Sequence, residues 1–428
     1  MLIHKFLLFF LVITTLSSKE IFNKVGFIVY NSNKWDNSFL KTKRYDIYNN
    51  GLYSVLDFNL GPINLYSSIF ASVDSIEANK GGTSKPVYKF FGYTSRAYLK
   101  TTLNSGGLLN NILFGRDFIN IGNGYFDQLF IGKNSRPFDQ ISWNYKYKDI
   151  FGSSGIIQLD NIGENKRYLS YHTLGLNKGN ISLSIAEAIL FTGINRTIDW
   201  TLINPVLMWL PEMHNQNSSG NALIYIGLSY NYSSSLKFWM DALIDDYQLV
   251  IGSWGDRLEP NNYGITLGIE KKNWFFSGSK LIGEYTLITN QTYQTHTAEE
   301  IFMHRGYTIG HYLGNDFDLF SLTYQKSIYK NRFVPFISIG YLRDGANGIE
   351  IQYSKPWMQE ENLINGNYTE KRPTGPINYN LQIEVSADFN LKENSWLNFG
   401  IIYNNLEKID DFSIIFRLHL EFNNYFKY

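Results

Sequence analysis

The residue patterns that usually mark a catalytic centre are missing from this chain of 428 residues. It has no G-x-S-x-G nucleophile elbow, no P-loop for phosphate and no H-E-x-x-H zinc motif. His296, Glu299 and Glu300 form H-x-x-E-E, which lacks the second histidine of a zinc site. We therefore predict a protein that is not an enzyme and that needs no cofactor and no metal.

Tryptophan residues fall in the long polar stretches of the sequence, at Trp35, Trp200, Trp209, Trp254 and Trp357. An aromatic face stacks on the apolar face of a sugar ring, while Asp, Glu, Asn and Arg side chains hydrogen-bond sugar hydroxyls and carboxylates. This combination of residue types favours carbohydrate binding. The alternative is that these tryptophans anchor the protein at membrane headgroups or pack within loops.

The composition excludes some classes of protein. Lys and Arg together number 38, as do Asp and Glu, so the chain has no basic excess for binding nucleic acid. Charged residues make up only 18% of the chain and aromatic residues 17%. There is no cysteine, so disulfides do not contribute to stability. We expect no nucleic-acid partner.

The first eighteen residues have the layout of a secretory signal peptide. Lys5 precedes an apolar core at 6–16, and Ser17 and Ser18 follow it. The core has eleven residues, whereas a helix that crosses a membrane needs about 20. We expect 1–18 to be a cleaved signal peptide and 19–428 to be one exported domain.

Downstream of residue 18, apolar and polar residues alternate, which predicts β-strands with one apolar and one polar face. The clearest example is 379–389, where Tyr, Leu, Ile, Val, Ala and Phe alternate with Asn, Gln, Glu, Ser and Asp. This pattern places eighteen strands at 25–31, 51–60, 63–72, 92–102, 108–115, 140–148, 155–160, 166–174, 180–189, 221–232, 236–246, 263–270, 280–289, 318–328, 333–342, 378–390, 396–404 and 412–428.

The gaps between these strands alternate in length. Every second gap has nine residues or fewer, whereas seven of the other nine have sixteen or more. Outer-membrane barrels have short turns on the periplasmic side and long loops outside, while a soluble sandwich has no reason to sort its connections in this way. Keeping this alternation requires 349–353 to lie in a long loop. The fold class predicted is all-β: a transmembrane antiparallel β-barrel of about eighteen strands with long extracellular loops, in contact with outer-membrane lipid.

Six stretches, in order along the chain, resemble the capsule assembly Wzi family of outer-membrane proteins. They are GRDFINIGNG (115–124), RYLSYHTLGL (167–176), ISLSIAEAILFTGINRTIDWTLINPV (181–206), LKFWMDALIDDYQ (236–248), IGEYTLITNQTYQ (282–294) and RGYTIGHYLGNDFD (305–318). The resemblance implies an eighteen-stranded barrel that binds capsular polysaccharide at the cell surface and helps to attach it there. It also implies a contact with the polysaccharide export machinery. The chain departs from the family at 19–50, which lacks the pattern of the small helical bundle that precedes the barrel in well-known members.

The resemblance and the loop chemistry together give a set of candidate residues for polysaccharide binding. They are Arg116, Asp117, Trp200, Trp209, Asp245, Asp246, Trp254, Arg257, Glu284, His304, His311 and Asp316.

Three acidic sites raise a question of position. Asp245 and Asp246 are neighbours at the end of a strand, so one of them would face lipid unless both lie above the bilayer. Glu284 shares a face with Lys280 and Thr286, which predicts that it points into the lumen and leaves a lumen ion-pair network as an alternative role. Strict alternation puts Glu187 on the apolar outer face, so it requires a bulge or a position above the membrane.

Three functional hypotheses remain. The first is an outer-membrane barrel that binds capsular polysaccharide or exopolysaccharide and attaches or assembles it at the surface. The second is a porin-like channel for sugars or small solutes, since an eighteen-stranded lumen holds water unless loops fill it. The third is a barrel hydrolase built from dispersed Ser, His and acidic residues.

Overall fold

The computed structural model describes residues 20–31, 39–40, 51–72, 91–216, 220–246, 258–392, 395–406 and 409–426. The predicted signal peptide at 1–18 lies outside these residues, and so do Trp35, Trp254 and Arg257.

Twenty strands lie in the described part of the chain, and eighteen of them form one antiparallel sheet. The bounds are β1 Glu20–Asn31, β2 Gly51–Leu60, β3 Ile63–Ser72, β4 Phe91–Ser105, β5 Leu108–Asp117, β6 Phe138–Tyr147, β7 Ile150–Gln158, β8 Asn165–Lys178, β9 Ile181–Ile194, β10 Asn221–Ser233, β11 Leu236–Asp246, β12 Asn262–Lys272, β13 Ser279–Ile288, β14 Met303–His304, β15 Tyr307–Thr308, β16 Phe317–Lys326, β17 Phe333–Asp344, β18 Asn378–Lys392, β19 Ser395–Leu406 and β20 Ile409–Phe426. Strands β14 and β15 form a separate hairpin.

The sheet closes on itself because β1 pairs with β2 on one side and with β20 on the other. Closure leaves no open sheet edge, so each strand has a partner on both sides. The predicted all-β barrel of eighteen strands is confirmed.

The wall presents its apolar face outward. In β18, Val385 is 54% exposed whereas its neighbour Glu384 is fully buried. Exposed apolar side chains recur at alternate positions in the other strands, among them Phe114, Ile141 and Ile185. A soluble barrel would have the opposite arrangement, so the outer surface of this barrel is suited to lipid.

The connections sort to the two ends as predicted. Within the described residues, the turns at one end are 61–62, 106–107, 148–149, 179–180, 234–235, 273–278 and 327–332. Longer segments at the other end include 118–137, 195–216, 289–316 and 345–377, and 349–353 lies inside the last of these, also as predicted. The strands extend further into the connections than expected. The first begins at residue 20 instead of 25, and only 407–408 separate the last two.

In the described part of the chain, helical structure occurs only in the long connections. Helix α1 spans Trp209–Gln216 and helix α2 spans Glu360–Asn365, and 3₁₀ turns lie at Thr201–Ile203, Ala298–Glu300 and Pro356–Met358. None of the helices in the described residues has the length and apolar character needed to cross a membrane.

Two hydrophobic clusters lie on opposite faces of the barrel wall. The larger one lies inside the lumen and contains Ile157, Leu169 and Leu190, together with apolar side chains from the long loops. The smaller one contains Ile156 and Ile189, which directly precede Ile157 and Leu190 in the chain. Because adjacent strand residues face opposite sides, the smaller cluster lies on the outside of the barrel.

Candidate functional site

The loop at 118–137, hereafter the lumen loop, folds into the barrel and is held there by two carboxylates of the wall. The first is Asp241, which lies in β11 and is completely buried. Its carboxylate accepts hydrogen bonds from the backbone N–H and side-chain amide of Asn123, both at 2.7 Å, and from the backbone N–H of Gly124 at 3.2 Å. The hydroxyl of Tyr225 donates a further bond at 2.8 Å.

Glu284 in β13 is the second anchor. Its carboxylate accepts the backbone N–H groups of Tyr125 at 2.6 Å and Phe126 at 3.1 Å, and the indole N–H of Trp239 at 2.8 Å. The predicted inward orientation of Glu284 is therefore confirmed. Its carboxylate holds a loop rather than entering an ion pair, because all three of these donors are neutral N–H groups.

The loop at 289–316, hereafter the cover loop, packs against the lumen loop. Asp127 of the lumen loop accepts the backbone N–H of Tyr312 at 2.8 Å, and Gly132 donates its N–H to the carbonyl of Ile309 at 2.7 Å. Burial raises the pKa of Asp127, which indicates how far this loop is removed from water. His311 is fully buried beside them, with its ring stacked on that of Tyr312 at a centroid distance of 4.6 Å.

Two further acidic candidates also act as loop anchors. Asp245 lies at a β-bulge between β11 and β12 and accepts the backbone N–H of Tyr293 in the cover loop at 2.5 Å. Asp316 is buried, and its carboxylate accepts the N–H groups of Asn347 at 2.9 Å and Thr374 at 2.8 Å, which tie down the loop at 345–377. Asp246 ends β11, and its side chain lies outside the described part of the structure.

These anchors pack the apolar side chains of the loops into the end of the barrel where the long connections lie. The buried loop residues are Phe126, Leu129, Phe130, Ile131, Phe302 and Ile309. They lie against wall residues such as Leu243 and Ile288, which are close to the long-loop ends of their strands. The lumen of this barrel is therefore filled at that level by its own loops.

Partly exposed charges are gathered at the rim of β4 to β6, in a group that we call the rim cluster: Arg96, Arg116, Asp117, Asp139 and Arg305. Arg116 binds the carboxylate of Asp139 with two parallel hydrogen bonds of 2.8 and 2.6 Å. Arg305 of the cover loop reaches the same carboxylate at 3.4 Å, and Arg96 binds Asp117 at 2.6 Å. The side chains of Arg116 and Arg305 are 23% and 21% exposed, so both remain accessible from outside.

Tyrosines accompany the arginines of the rim. Arg96 lies over the ring of Tyr66 at 4.8 Å, and Tyr66 stacks on Tyr98 with centroids 5.0 Å apart. Arg136, which is buried next to the cover loop, lies over the ring of Tyr307 at 4.2 Å. Guanidinium groups and aromatic faces at one site can pair with the carboxylates and the apolar ring faces of acidic sugars.

His304 lies behind the rim cluster and is buried. Its Nδ1 is 3.0 Å from a carboxylate oxygen of Asp160, which also accepts the backbone N–H of Arg305 at 3.0 Å. Burial lowers the pKa of His304, which favours the neutral imidazole. Burial alone would raise the pKa of Asp160, but the hydrogen bonds from His304 and Arg305 outweigh it and lower that pKa. Asp160 thus holds both His304 and the backbone of Arg305 behind the rim.

The two described tryptophan candidates lie elsewhere, on the outside of the barrel. Trp209 is fully buried in the outer cluster and packs against His172 of β8, with the two tilted rings 4.1 Å apart between centroids. Glu187 of β9 lies beneath it and accepts the backbone N–H groups of Trp209 at 2.9 Å and Leu210 at 2.6 Å. Trp200 is highly exposed on the same segment.

The structure thus divides the sequence-predicted candidates into three groups. Arg116, Asp117 and His304 lie at or behind the rim cluster, Asp245, Glu284, His311 and Asp316 hold or pack the loops, and Trp200 and Trp209 lie on the outer wall. Sequence reasoning missed Arg96, Asp139 and Arg305 at the rim and Asp241 in the lumen. A signal for Asp241 was present, because it is a charged residue in the middle of a strand, between Met240 and Ala242. Among the described residues, no group of three or more His, Asp or Glu side chains is arranged to hold a metal ion.

Comparison with known proteins agrees with this architecture. No family model matches the chain, and no curated protein matches it in sequence. Among solved structures, it is similar to Wzi of Escherichia coli, described as an outer-membrane protein involved in group 1 capsule assembly and as a carbohydrate-binding β-barrel. The TM-score is 0.64 at 11% identity, over 98% of this chain and 86% of that one. The chain has the outer-membrane β-barrel fold. The resemblance to Wzi that the sequence motifs suggested is confirmed at the level of the fold.

Other barrels share the architecture with lower scores. OccAB2 of Acinetobacter baumannii has a TM-score of 0.52 at 11% identity, over 95% of this chain and 98% of that one. OccK5 of Pseudomonas aeruginosa has a TM-score of 0.51 at 8% identity, over 95% of this chain and 97% of that one.

Proposed function

We propose that this chain is an outer-membrane barrel that binds capsular polysaccharide or exopolysaccharide at the cell surface and helps to attach or assemble it there, without catalysis. The observation that carries the proposal is the rim cluster, where the partly exposed guanidinium groups of Arg96, Arg116 and Arg305 gather at the long-loop end of the barrel and that of Arg96 lies over the ring of Tyr66. The filled lumen supports it, because a barrel blocked by anchored loops is better suited to binding at its surface than to passing solutes. The similarity to Wzi, which is described as a carbohydrate-binding β-barrel, also supports it.

Among the candidates from the sequence, we assign contact with the polysaccharide to Arg116, and we add Arg96 and Arg305. In this proposal Asp117, Asp139 and His304 hold these arginines in place, since they pair with them or lie directly behind them. The buried residues Glu284, His311 and Asp316 shape the mouth by fixing the loops. A contact with the export machinery remains a further part of the proposal.

The binding test compares two arginine variants. We expect Arg116→Gln to weaken the binding of the purified barrel to the polysaccharide of its own host by about tenfold, because a charge-assisted contact of roughly 1.5 kcal/mol is lost. Arg332→Gln serves as the matched control, since Arg332 is an exposed arginine in a turn at the opposite end. Equal affinities for both variants, measured by calorimetry, would argue against the rim cluster as the site.

A test in cells addresses the role itself. Deleting the gene should shift polysaccharide from the cell-bound fraction into the medium, whereas the Arg332→Gln variant should retain it. An unchanged cell-bound fraction after deletion would contradict the proposal. The hydrolase hypothesis makes a different prediction, namely turnover of phospholipid or glycan that Asp139→Asn abolishes.

A porin-like channel is the second candidate, and one observation favours it. The lumen-facing wall of β17 to β20 is polar, with Ser338, Gln382, Glu384, Asn398 and Arg417 pointing inward. Recording from single barrels in a planar bilayer separates the two candidates. Silence of the unaltered protein is expected for a plugged binding protein, and stable ionic conductance would favour the channel.

A further inference from the structure

The segment at 195–216, hereafter the outer strap, runs over the outside of the barrel wall. Its Leu202 and Trp209 are buried against Ile156, Ile189 and Phe191, which belong to the outward face of β7 and β9. The pairing of β9 with β8 and β10 shows no register shift, so the outward side remains the same along the whole strand. Glu187 lies on this side and binds the first turn of α1 through two backbone N–H groups.

The strap covers wall positions that are continuous with the lipid-facing surface. Phe114, Ile141, Ile156, Ser170 and Ile189 are successive partners in one row across β5 to β9. Phe114 and Ile141 are exposed, as expected for side chains that meet lipid, whereas Ile156 and Ile189 are buried under the strap. The strap therefore rests on the same row of the wall that neighbouring strands present to the membrane.

The side of the strap that faces away from the wall carries an apolar patch, next to the exposed polar residues Asn195, Thr197 and Asn204. Trp200, Val206 and Met208 are 82%, 88% and 72% exposed, and Ile198 is exposed beside them. A surface segment in water normally pairs its apolar face with a polar one. A segment that buries one apolar side against a lipid-facing wall, and that exposes a patch of large apolar side chains on the other, is best accommodated by a second apolar medium.

We infer that the outer strap docks into the outer leaflet of the membrane, with Val206 and Met208 among the acyl chains and Trp200 at the level of the headgroups. Tryptophan prefers this boundary because its ring is apolar while its N–H remains in contact with polar groups. The partner of this surface is thus lipid, and the argument for it is the continuity with the lipid-facing wall. The inference does not depend on polysaccharide binding.

The absence of cysteine from the chain makes a direct test possible, because single cysteines can be introduced without interference. Val206→Cys and Met208→Cys, each carrying a nitroxide spin label, would be placed in the full barrel in dimyristoylphosphatidylcholine vesicles. Accessibility to oxygen, which partitions into lipid, and to a water-soluble nickel chelate would then be measured. Ile185→Cys on the exposed wall supplies the lipid reference, and Ile364→Cys on α2 in the 345–377 loop supplies the water reference.

The expected result is high oxygen and low nickel accessibility at both strap positions, as at residue 185. High nickel accessibility, as at residue 364, would overturn the inference. Low accessibility to both reagents would also overturn it, because that result indicates a protein contact such as a second copy of the chain. Heat-dependent gel migration verifies that each labelled barrel is folded, and Ile198→Cys replaces any variant that fails this check.

Discussion

Buried carboxylates in this barrel serve mainly as acceptors for backbone N–H groups. Glu284, Asp241 and Asp316 each accept two or more backbone or side-chain N–H groups from loops that are distant in sequence. A buried charge is tolerated only when its oxygens are hydrogen-bonded, and a loop without regular structure needs acceptors for its own N–H groups. The loop N–H groups supply the donors that the buried carboxylate needs, and the carboxylate supplies the acceptors that the loop needs. A single acidic residue can therefore hold a loop in place.

This reasoning predicts the effect of Glu284→Gln. The amide retains one acceptor oxygen, but its NH₂ group opposes an N–H of the lumen loop, so docking of that loop should weaken by about 2 kcal/mol. In planar bilayers the variant should show conductance events that the unaltered protein lacks, because the lumen loop leaves the mouth more often.

The matched control is Glu270→Gln. Glu270 also faces the lumen, but it pairs with Lys280 at 3.5 Å in an ion pair that is partly exposed, and such pairs contribute little. If both variants conduct equally, or neither conducts, Glu284 is not the anchor of the plug.

The orientation of single side chains could be predicted from the sequence, but their partners in the loops could not. The inward orientation of Glu284 followed from the parity of β13, and that parity is visible in the sequence. Its partners Tyr125 and Phe126 are about 160 positions away, and nothing in the alternation of one strand specifies which loop reaches it. For the same reason Arg305 was missed, since it joins Asp139 only after the cover loop has folded back over the rim.

At the scale of elements, strands were predictable and the paths of loops were not. Alternation repeats over ten or more residues in most strands, so an error at one position does not hide the pattern. Glu187 shows the limit of prediction from strand patterns. Parity correctly put it on the outer face, but it gave no information about the loop that covers it. The pairing around Glu187 contains no bulge, and a short helix covers its side chain. The outer strap at 195–216 turned outward while the lumen and cover loops turned inward, although all three are long and polar in places.

Glu187→Gln tests whether Glu187 holds the outer strap against the barrel wall. The two N–H groups at the start of α1 lose a charged acceptor, which costs about 1.5 kcal/mol, so the open strap should be about tenfold more populated. Limited chymotrypsin digestion in detergent should cleave the strap after Trp209 correspondingly faster, since Trp209 is buried in the closed strap and cleavage there follows the open population.

Glu361→Gln supplies the comparison for this experiment. Glu361 is an exposed carboxylate in the first turn of α2 and clasps nothing to the barrel wall in the described residues. Equal cleavage rates for the two variants would show that apolar packing alone holds the strap.

At the scale of the whole molecule, the fold depends on the seam between β1 and β20. All other neighbours in the barrel wall are connected by a turn or loop, whereas these two strands are separated by nearly the whole chain. Their pairing turns an open sheet, which would leave backbone groups unpaired in lipid, into a closed one. The alternation of short and long gaps predicted a closed barrel, but the sequence could not predict the register of the seam, because a shift of two residues preserves every inward and outward position.

A disulfide across the seam tests that register. Val25 and Phe422 are partners in the β1–β20 ladder and both face outward, and directly opposed residues have Cα atoms about 4.5–5.5 Å apart, within reach of a disulfide. Val25→Cys with Phe422→Cys should therefore oxidise readily in the folded barrel and alter its migration on a non-reducing gel. Val25→Cys with Leu420→Cys is the control, since Leu420 is opposite Phe27 and lies diagonally from Val25, where the Cα distance is about 7–8 Å. More efficient crosslinking of the diagonal pair would mean that the barrel closes two residues out of this register, and crosslinking of neither would mean that β1 and β20 do not form the seam.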